Sequence, residues 1–195
     1  RDRLRSRGLG DVYKRQGTER GSFYDRAFSG EEQQAILDTS VTNDDNLYYD
    51  TPGGNATNDK IYLLSEAEVY AGKSASAYGF SDSEETIDEG RRAQSSDYAK
   101  AMGCYTEMAE EAYEGNCLWW LRTPGVLSSY AGNVDYDGYA DMDGMDVDAV
   151  NVAVRPVLRL DLSSDVWGRA GTVCSDGTVL DESQAIYVLS LIHIS

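Results

Sequence analysis

The chain has 195 residues, a formal net charge of −17 at pH 7, and a composition in which 41% of the residues are hydrophobic. That hydrophobic content excludes global disorder, and because no apolar run reaches about eighteen residues we expect no membrane insertion. The negative charge repels phosphate backbones, so we expect no nucleic-acid binding. It indicates an extracellular or cell-surface location, or simply a solvated acidic face.

The two ends of the chain differ from the rest and are expected to be non-native. Residues 1–16 contain six Lys or Arg against two Asp or Glu with no apolar period, and residues 190–195 end the chain abruptly. Both resemble translated sequencing-adapter tracts at the edges of assembled metagenomic fragments, which belong outside the fold. We therefore expect one domain over residues 17–189. Without residues 1–16 the net charge becomes −21.

The first half of this domain is predicted to hold short helices around one buried strand. Ser29 and Glu32 form a capping box that starts a helix. The apolar face of this helix would comprise Phe23, Phe28, Ile36 and Leu37. Residues 38–58 are rich in Asn, Asp, Thr and Gly and are predicted to form a loop, whereas residues 60–64 are predicted to form a short buried strand. A second capping box at Ser65 starts another short helix.

The second half is predicted to consist mostly of antiparallel strands. An acidic, Ser-rich insertion at residues 72–90 precedes a helix at residues 96–102, which ends at Gly103. Strands are predicted at residues 119–122, 152–162 and 185–189. Turns or hairpins are expected at Asp137-Gly138, at Asp143-Gly144 and over residues 172–179. Short helices followed by antiparallel strands indicate an α+β fold.

Five short motifs follow one another along the domain. They are Phe-Tyr-Asp-Arg-Ala-Phe-Ser at residues 23–29, Lys-Ile-Tyr-Leu-Leu-Ser at 60–65, Tyr-Ala-Lys-Ala at 98–101, Trp-Trp-Leu-Arg-Thr-Pro-Gly at 119–125 and Val-Arg-Pro-Val-Leu at 154–158. In this order they resemble a large bacterial domain family of unknown function. The resemblance implies a C-type-lectin-like fold, here without the strands that normally precede the first motif. Formylglycine-generating enzymes and the variable proteins of diversity-generating retroelements share that architecture.

The tract at residues 128–151 is predicted to be the functional surface. Sixteen of its 24 residues are Asp, Tyr, Gly, Asn or Ser, and none is Lys, Arg, Glu or Gln. Tyr gives a large contact area at low entropic cost, while small polar residues adapt their hydrogen bonds. We therefore predict that the tract binds a protein or a glycan. The predicted ligand-binding residues are Tyr130, Asn133, Asp135, Tyr136, Asp137, Tyr139, Asp141, Asp143, Asp146 and Asp148.

Other origins of this composition stay open. A pair of hairpins needs Asp-Gly and Asn in its turns whether or not it binds anything. Adenine-directed mutation of Asn codons, as in retroelement variable proteins, also yields this set of amino acids. Met142 and Met145 would then be positions that the mutation does not change.

The same tract allows a calcium-stabilised structural module as an alternative. Residues 133–138 match the first half of an EF-hand loop, but the twelfth position is Gly144 instead of a bidentate Glu. A site of another type would be built from clustered carboxylates, because hard cations prefer oxygen ligands. Its candidate ligands are Asp135, Asp137, Asp141 and Asp143.

The strands on either side of the tract are predicted to brace it. Trp119 and Trp120 point to opposite faces of their strand and are expected to pack in the core with their indole N–H groups bonded locally. Arg122 and Arg155 are expected to tie loops through backbone carbonyls or Asp, with carboxylate or sugar contacts as the alternative. Pro156 places its strand at an edge or a bulge.

The sequence gives little support to an enzyme. The only His, His193, lies in the tail that we expect to be non-native, so a His-based triad or a typical zinc site is not indicated. An oxidase related to formylglycine-generating enzymes would need paired cysteines, and Cys104, Cys117 and Cys174 do not match that motif. A Cys104–Cys117 disulfide and three buried thiols are both open. We predict a non-enzymatic ligand-binding domain without a cofactor, with the oxidase as an alternative.

Overall fold

The computed structural model describes residues 22–69, 80, 87–172 and 187–191, which form a mixed α+β fold of short helices and small antiparallel sheets. The helices are α1 (Phe23–Ala27), α2 (Gly30–Ala35), α3 (Glu66–Val69) and α4 (Asp97–Ala101). The strands are β1 (Ile36–Leu37), β2 (Thr39–Val41), β3 (Thr57–Asp59), β4 (Trp119–Pro124), β5 (Tyr130–Val134), β6 (Ala140–Asp146), β7 (Arg159–Leu160), β8 (Trp167–Thr172) and β9 (Tyr187–Leu191). None of the helices in these ranges has the length and apolar character needed to cross a membrane.

Serine caps begin the helices, and both predicted capping boxes are confirmed. The Ser29 amide donates to Glu32 Oε2 at 2.6 Å, and the Glu32 amide donates to Ser29 Oγ at 3.3 Å. The Ser65 amide donates in the same way to Glu68 Oε2 at 2.7 Å. Each box satisfies backbone donors that the first helical turn leaves unpaired. The helix predicted over residues 96–102 is also confirmed as α4, and Gly103 follows it with a φ of +89°.

Three predictions for the first half of the chain are wrong in part. Ile36 and Leu37 leave the helix and form β1, which pairs antiparallel with β7. The predicted loop over residues 38–58 contains β2 and β3, which pair with each other. Residues 60–64 are largely buried, yet they form only an isolated bridge between Tyr62 and Val157. In each case pairing with another segment of the chain decides the backbone conformation, within residues 39–59 for β2 and β3 and over more than ninety positions for the other two.

A three-stranded antiparallel sheet with the order β4-β5-β6 forms the centre of the described fold. Its register places Trp119 beside Val134, and Val134 beside Ala140, on one face. These side chains join a buried cluster with Leu64, Val69, Phe80, Leu121 and Met142. The other face carries Trp120, Ala131 and Val152 in a second buried cluster. Because both faces are covered, the central strand β5 is buried along most of its length.

The pair Asp143-Gly144, predicted as a tight turn, lies inside β6. Ala131 pairs with Met145 and Asn133 pairs with Asp141, so three residues of β6 lie opposite Gly132 alone. Gly144 has a φ of +72°, which is the left-handed conformation that bulges often assign to glycine. The Asp-Gly pair therefore bends a strand instead of ending it. The turn predicted at Asp137-Gly138 is confirmed between β5 and β6.

The strand predicted over residues 152–162 is broken into short pieces. Ala153 forms a parallel bridge with Trp119, Val157 forms a bridge with Tyr62, and only Arg159 and Leu160 form a regular strand. Ala153 and Val157 pack against the core, whereas Val154 and Pro156 are exposed. The segment therefore contacts the first buried cluster through the face that carries Arg155, whereas Val152, on the opposite face, packs in the second buried cluster. The predicted hairpin over residues 172–179 lies largely outside the described residues, and β9 overlaps the predicted final strand.

Candidate functional site

The two tryptophans of β4 anchor the sheet from opposite sides. Trp119 is fully buried, and its indole Nε1 donates to the backbone oxygen of Arg91 at 3.0 Å. Trp120 lies in the cluster on the other face. Arg155 lies over the Trp119 ring, with its guanidinium carbon 4.9 Å from the ring centroid, and donates to the same oxygen of Arg91 at 3.4 Å. Burial lowers the pKa of Arg155, and the aromatic contact offsets part of that cost.

Arg91 connects this core to the turn between β5 and β6. Its side chain is fully buried, and Nε donates to the carbonyl of Gly138 at 2.9 Å while Nη1 donates to the carbonyl of Val69 at 2.7 Å. Next to it, Arg92 Nε donates to the carbonyl of Asp137 at 2.9 Å. Two neighbouring arginines therefore fix the backbone of the turn. The sequence pattern did not single out either residue.

The outward face of the hairpin carries acidic and tyrosine side chains at alternate positions. Ala140 and Met142 point into the core, and successive residues of a strand point to opposite faces, so Tyr139, Asp141 and Asp143 point away from it. The turn adds Asp135 and Asp137, and the charges of Asp141 and Asp137 both act on Asp135. We call the surface formed by Asp135, Asp137, Tyr139, Asp141, Asp143 and Tyr49 the Asp/Tyr face.

Tyr49 reaches the Asp/Tyr face from the loop between β2 and β3. Its hydroxyl donates to Asp143 Oδ1, and this hydrogen bond is the main reason why the pKa of Tyr49 is raised. The loop is held by Asn46, which is buried and donates from Nδ2 to the carbonyls of Pro124 at 2.8 Å and Met142 at 2.9 Å. Asn46 Oδ1 also accepts from the Tyr49 amide. This segment contributes to the site although it lies far away in sequence.

Asp135 is a carboxyl of this face whose pKa is raised in the folded protein. Partial burial, followed by the charges of Asp141 and Asp137, raises its pKa to about 6, although the side-chain amide of Asn133 donates to it at 2.8 Å. The ionised form is therefore disfavoured in the folded protein. A bound cationic group would favour the ionised form.

We expect Asp135→Asn to raise the free energy of unfolding at pH 7 by about 1 kcal/mol. A pKa shift of about two units corresponds to about 3 kcal/mol, but solvent screens this partly exposed group and reduces the gain. The pKa of Asp135 rises from 3.8 to about 6 on folding, so between about pH 4 and 6 the folded state binds a proton that the unfolded state has released. The free energy of unfolding of the original chain therefore falls as the pH rises through that range. Urea denaturation at pH 4.5 and 7 checks this. The Asn variant should lose less stability over this range, while Glu66, whose pKa burial also raises, contributes equally in both chains. An equal loss in both chains would contradict the expectation, and Asp148→Asn, at an exposed position, is the control.

A second group of aromatic side chains packs around the tip of the hairpin. The Tyr136 ring lies 6.1 Å from the Tyr105 ring and 5.7 Å from the Tyr113 ring, between centroids. The guanidinium of Arg92 lies over the Tyr113 ring at 4.9 Å, and the Tyr136 hydroxyl donates to Glu110 at 3.3 Å. Tyr136 is therefore held against the loop before β4. Its role in the site is mainly to support the tip.

The structure separates the sequence-predicted ligand-binding residues by their exposure. Asn133 is fully buried, because β5 is covered on both faces, and it supports Asp135 instead of facing solvent. The exposed residues are Tyr139, Asp143, Asp146 and Asp148. The half-buried residues are Tyr130, Asp135, Tyr136, Asp137 and Asp141. Asp146 and Asp148 follow the bulge and lie outside the Asp/Tyr face.

The candidate calcium ligands make hydrogen bonds within the hairpin. Asp137 Oδ1 accepts from the Tyr139 amide at 2.8 Å, and Asp141 Oδ1 accepts from the Asp143 amide at 3.0 Å. Across the described ranges, no group of three or more His, Cys, Asp or Glu side chains is arranged to hold a metal ion. These carboxylates act here as turn and bulge stabilisers.

Cys104 and Cys117 are free thiols in this structure. Cys117 is buried and Cys104 is partly exposed. Burial is the main reason that the pKa of Cys117 rises to about 11, and the neighbouring Cys104 adds to the effect. A thiol with so high a pKa is a poor nucleophile at neutral pH. Cys174 lies outside the described residues.

Comparison with known families identifies the class of this protein. The family model of a domain of unknown function, DUF6273, matches residues 19–162. This range includes all five motifs and every residue of the Asp/Tyr face. The chain therefore belongs to the DUF6273 family, and the resemblance to a domain family of unknown function is confirmed. No curated protein and no solved structure matches the chain.

Proposed function

We propose that this chain is a non-enzymatic ligand-binding domain of lectin-like architecture, which binds a protein or a glycan through the Asp/Tyr face. The alternation along β6 carries the proposal. Ala140 and Met142 are buried while Tyr139 and Asp143 are exposed, so a rigid sheet holds the polar side chains towards solvent. Mounting contact residues on a packed element reduces the ordering cost of binding.

Lectin-like architecture is supported by the order and roles of the elements. Short helices precede a set of antiparallel strands, and the loop that carries Tyr49 folds back onto β6. Arg122 and Trp119 lie in β4, where their side chains donate hydrogen bonds to segments that are distant in sequence. Binding loops are commonly mounted on a scaffold of this kind.

The chemistry of the face favours a cationic segment of a protein as the ligand. Asp141 and Asp143 provide negative charge, and Tyr49 and Tyr139 provide aromatic surface beside them. Tyr48, next to Tyr49, is exposed and adds further apolar contact area. Lys and Arg side chains pair with carboxylates and stack on tyrosine rings, so a basic peptide satisfies both features.

Tyr139→Ala is expected to weaken binding of the ligand at least tenfold, because tyrosine is among the residues that most often dominate the binding energy of an interface. The full chain would first be screened on an immobilised array of basic peptides and an array of glycans. Affinities for the best peptide or glycan would then be measured by calorimetry for the original chain and the variant.

Tyr98→Ala is the matched control for this experiment. Tyr98 is 69% exposed and lies on α4, outside the Asp/Tyr face. We expect Tyr98→Ala to bind the ligand as tightly as the original chain does. The melting temperatures of Tyr98→Ala and Tyr139→Ala should both lie within a few degrees of that of the original chain. Equal losses in the two variants, or no loss with Tyr139→Ala, would contradict the proposed surface.

A further inference from the structure

A small polar groove of about 220 Å³ lies outside the Asp/Tyr face. It shares no residue with that face. Its lining includes hydroxyl groups, one aromatic ring, one carboxylate and two guanidinium groups, supplied among others by Ser40, Thr42, Tyr62, Glu68, Arg122 and Arg159. Such a lining provides both hydrogen-bond donors and positive charge.

Arg122 is a fixed part of the groove. Its Nε donates to the carbonyl of Thr42 at 3.0 Å, and its Nη1 donates to the carbonyl of Leu63 at 2.8 Å and to Glu68 Oε2. Its guanidinium carbon lies 6.0 Å from the centroid of the Tyr62 ring. Because these contacts hold the guanidinium in place, little side-chain entropy remains to be lost when it meets a ligand.

Arg159 gives the groove its excess positive charge. It lies in β7 and is exposed. Glu68 neutralises Arg122, whereas among the described residues no carboxylate pairs with Arg159. The groove therefore carries one net positive charge in a chain whose total is −17. A small anion, repelled by most of this surface, is attracted here.

We propose that this groove binds a small carboxylate that also carries hydroxyl groups, of the class of a uronic acid. The carboxylate accepts hydrogen bonds from Arg159, a charge-assisted interaction that a neutral sugar cannot make. The sugar hydroxyls meet the hydroxyls of Ser40 and Thr42 and the carboxylate of Glu68. The proposal does not depend on the Asp/Tyr face.

Binding of glucuronate, glucose and acetate to the full chain would be compared by calorimetry at low salt. We expect glucuronate to bind most tightly and glucose to bind at least tenfold more weakly, because it lacks the charge. Acetate should also be weaker, since it lacks the hydroxyls. Equal affinity for glucose and glucuronate, equal affinity for acetate and glucuronate, or no binding of glucuronate would overturn the proposal.

Arg159→Gln is expected to weaken glucuronate binding at least tenfold, and Lys100→Gln is its control. Lys100 is exposed on α4, so its replacement removes the same charge without touching the groove. Equal effects of the two variants would overturn the proposal. Tyr139→Ala, which alters the Asp/Tyr face, should leave glucuronate affinity unchanged, so failure of one site is distinguishable from failure of the other.

Discussion

Replacing Arg91 with Met is expected to lower the free energy of unfolding by about 3–5 kcal/mol. Met fills much of the same space but removes both donors, so the Val69 carbonyl loses its bond to Arg91 and the Gly138 carbonyl keeps only the longer bond from the Asp88 amide at 3.4 Å. Each buried acceptor that loses its partner costs roughly 1–3 kcal/mol. The loss acts on the turn between β5 and β6, so binding by the Asp/Tyr face should weaken as well. Urea denaturation at pH 7, followed by circular dichroism, measures the change.

Arg92→Met is the matched control for Arg91→Met. Arg92 also donates to the turn, at the carbonyl of Asp137, but it is partly exposed and its ion pair with Glu89 lies at the surface. Water can replace these contacts, so we expect a loss of about 1 kcal/mol. Similar losses of unfolding free energy in both variants would show that the buried Arg91 does not stabilise the turn more than the partly exposed Arg92 does.

Gly138→Ala is expected to lower the free energy of unfolding by about 2–5 kcal/mol. Gly138 has a φ of +93°, and an added Cβ would lie well inside contact distance of the carbonyl oxygen of Asp88. The left-handed conformation costs an L-residue about 1–2 kcal/mol, and the clash adds an overpacking penalty of about 1–3 kcal/mol. The turn would have to move away from the segment that carries Arg91. Thermal and urea denaturation measure this loss.

Gly103→Ala separates backbone strain from the clash. Gly103 has a φ of +89°, but an added Cβ there meets no atom within 4 Å. We expect about 1–2 kcal/mol from strain alone. If Gly138→Ala is no more damaging than Gly103→Ala, the close packing between the turn and Asp88 is not a constraint on the fold.

Local signals in the sequence predicted the elements that local chemistry controls. The capping boxes at Ser29 and Ser65 depend on residues three positions apart, and the structure forms both. The turn at Asp137-Gly138 follows from the conformational freedom of glycine. The helix predicted over residues 96–102 forms as α4, and Gly103, predicted to end it, has a φ of +89°.

Long-range contacts explain the parts that sequence patterns did not predict. Ile36 leaves its helix because it pairs with Leu160, more than a hundred positions away. Asp143-Gly144 has the composition of a turn but bends β6 because β5 continues to pair beyond it. Arg91 and Asn46 lie in polar stretches that look solvated, and their burial depends on carbonyl groups of distant strands. A buried polar residue of this kind has no periodic signal.

The sequence did not predict the contribution of Tyr49 to the site, because this contribution also depends on long-range contacts. Nothing in the residues around it distinguishes this tyrosine from Tyr48, which is also exposed. Its position follows from Asn46, which ties the loop to Met142 in β6. The tract at residues 128–151 therefore supplies most of the Asp/Tyr face, while a distant loop completes it.

Hydroxyl-radical footprinting of the full chain, with and without the best ligand from the arrays, tests the central claim most directly. In the free chain, Tyr139 and the exposed Met108 should be modified, whereas the buried Met142 should be protected. Ligand should then protect Tyr49 and Tyr139 and leave Tyr98 and Met108 unchanged. Modification of Met142 in the free chain, or protection that spares Tyr49 and Tyr139, would contradict a ligand-binding face held outward by a packed sheet.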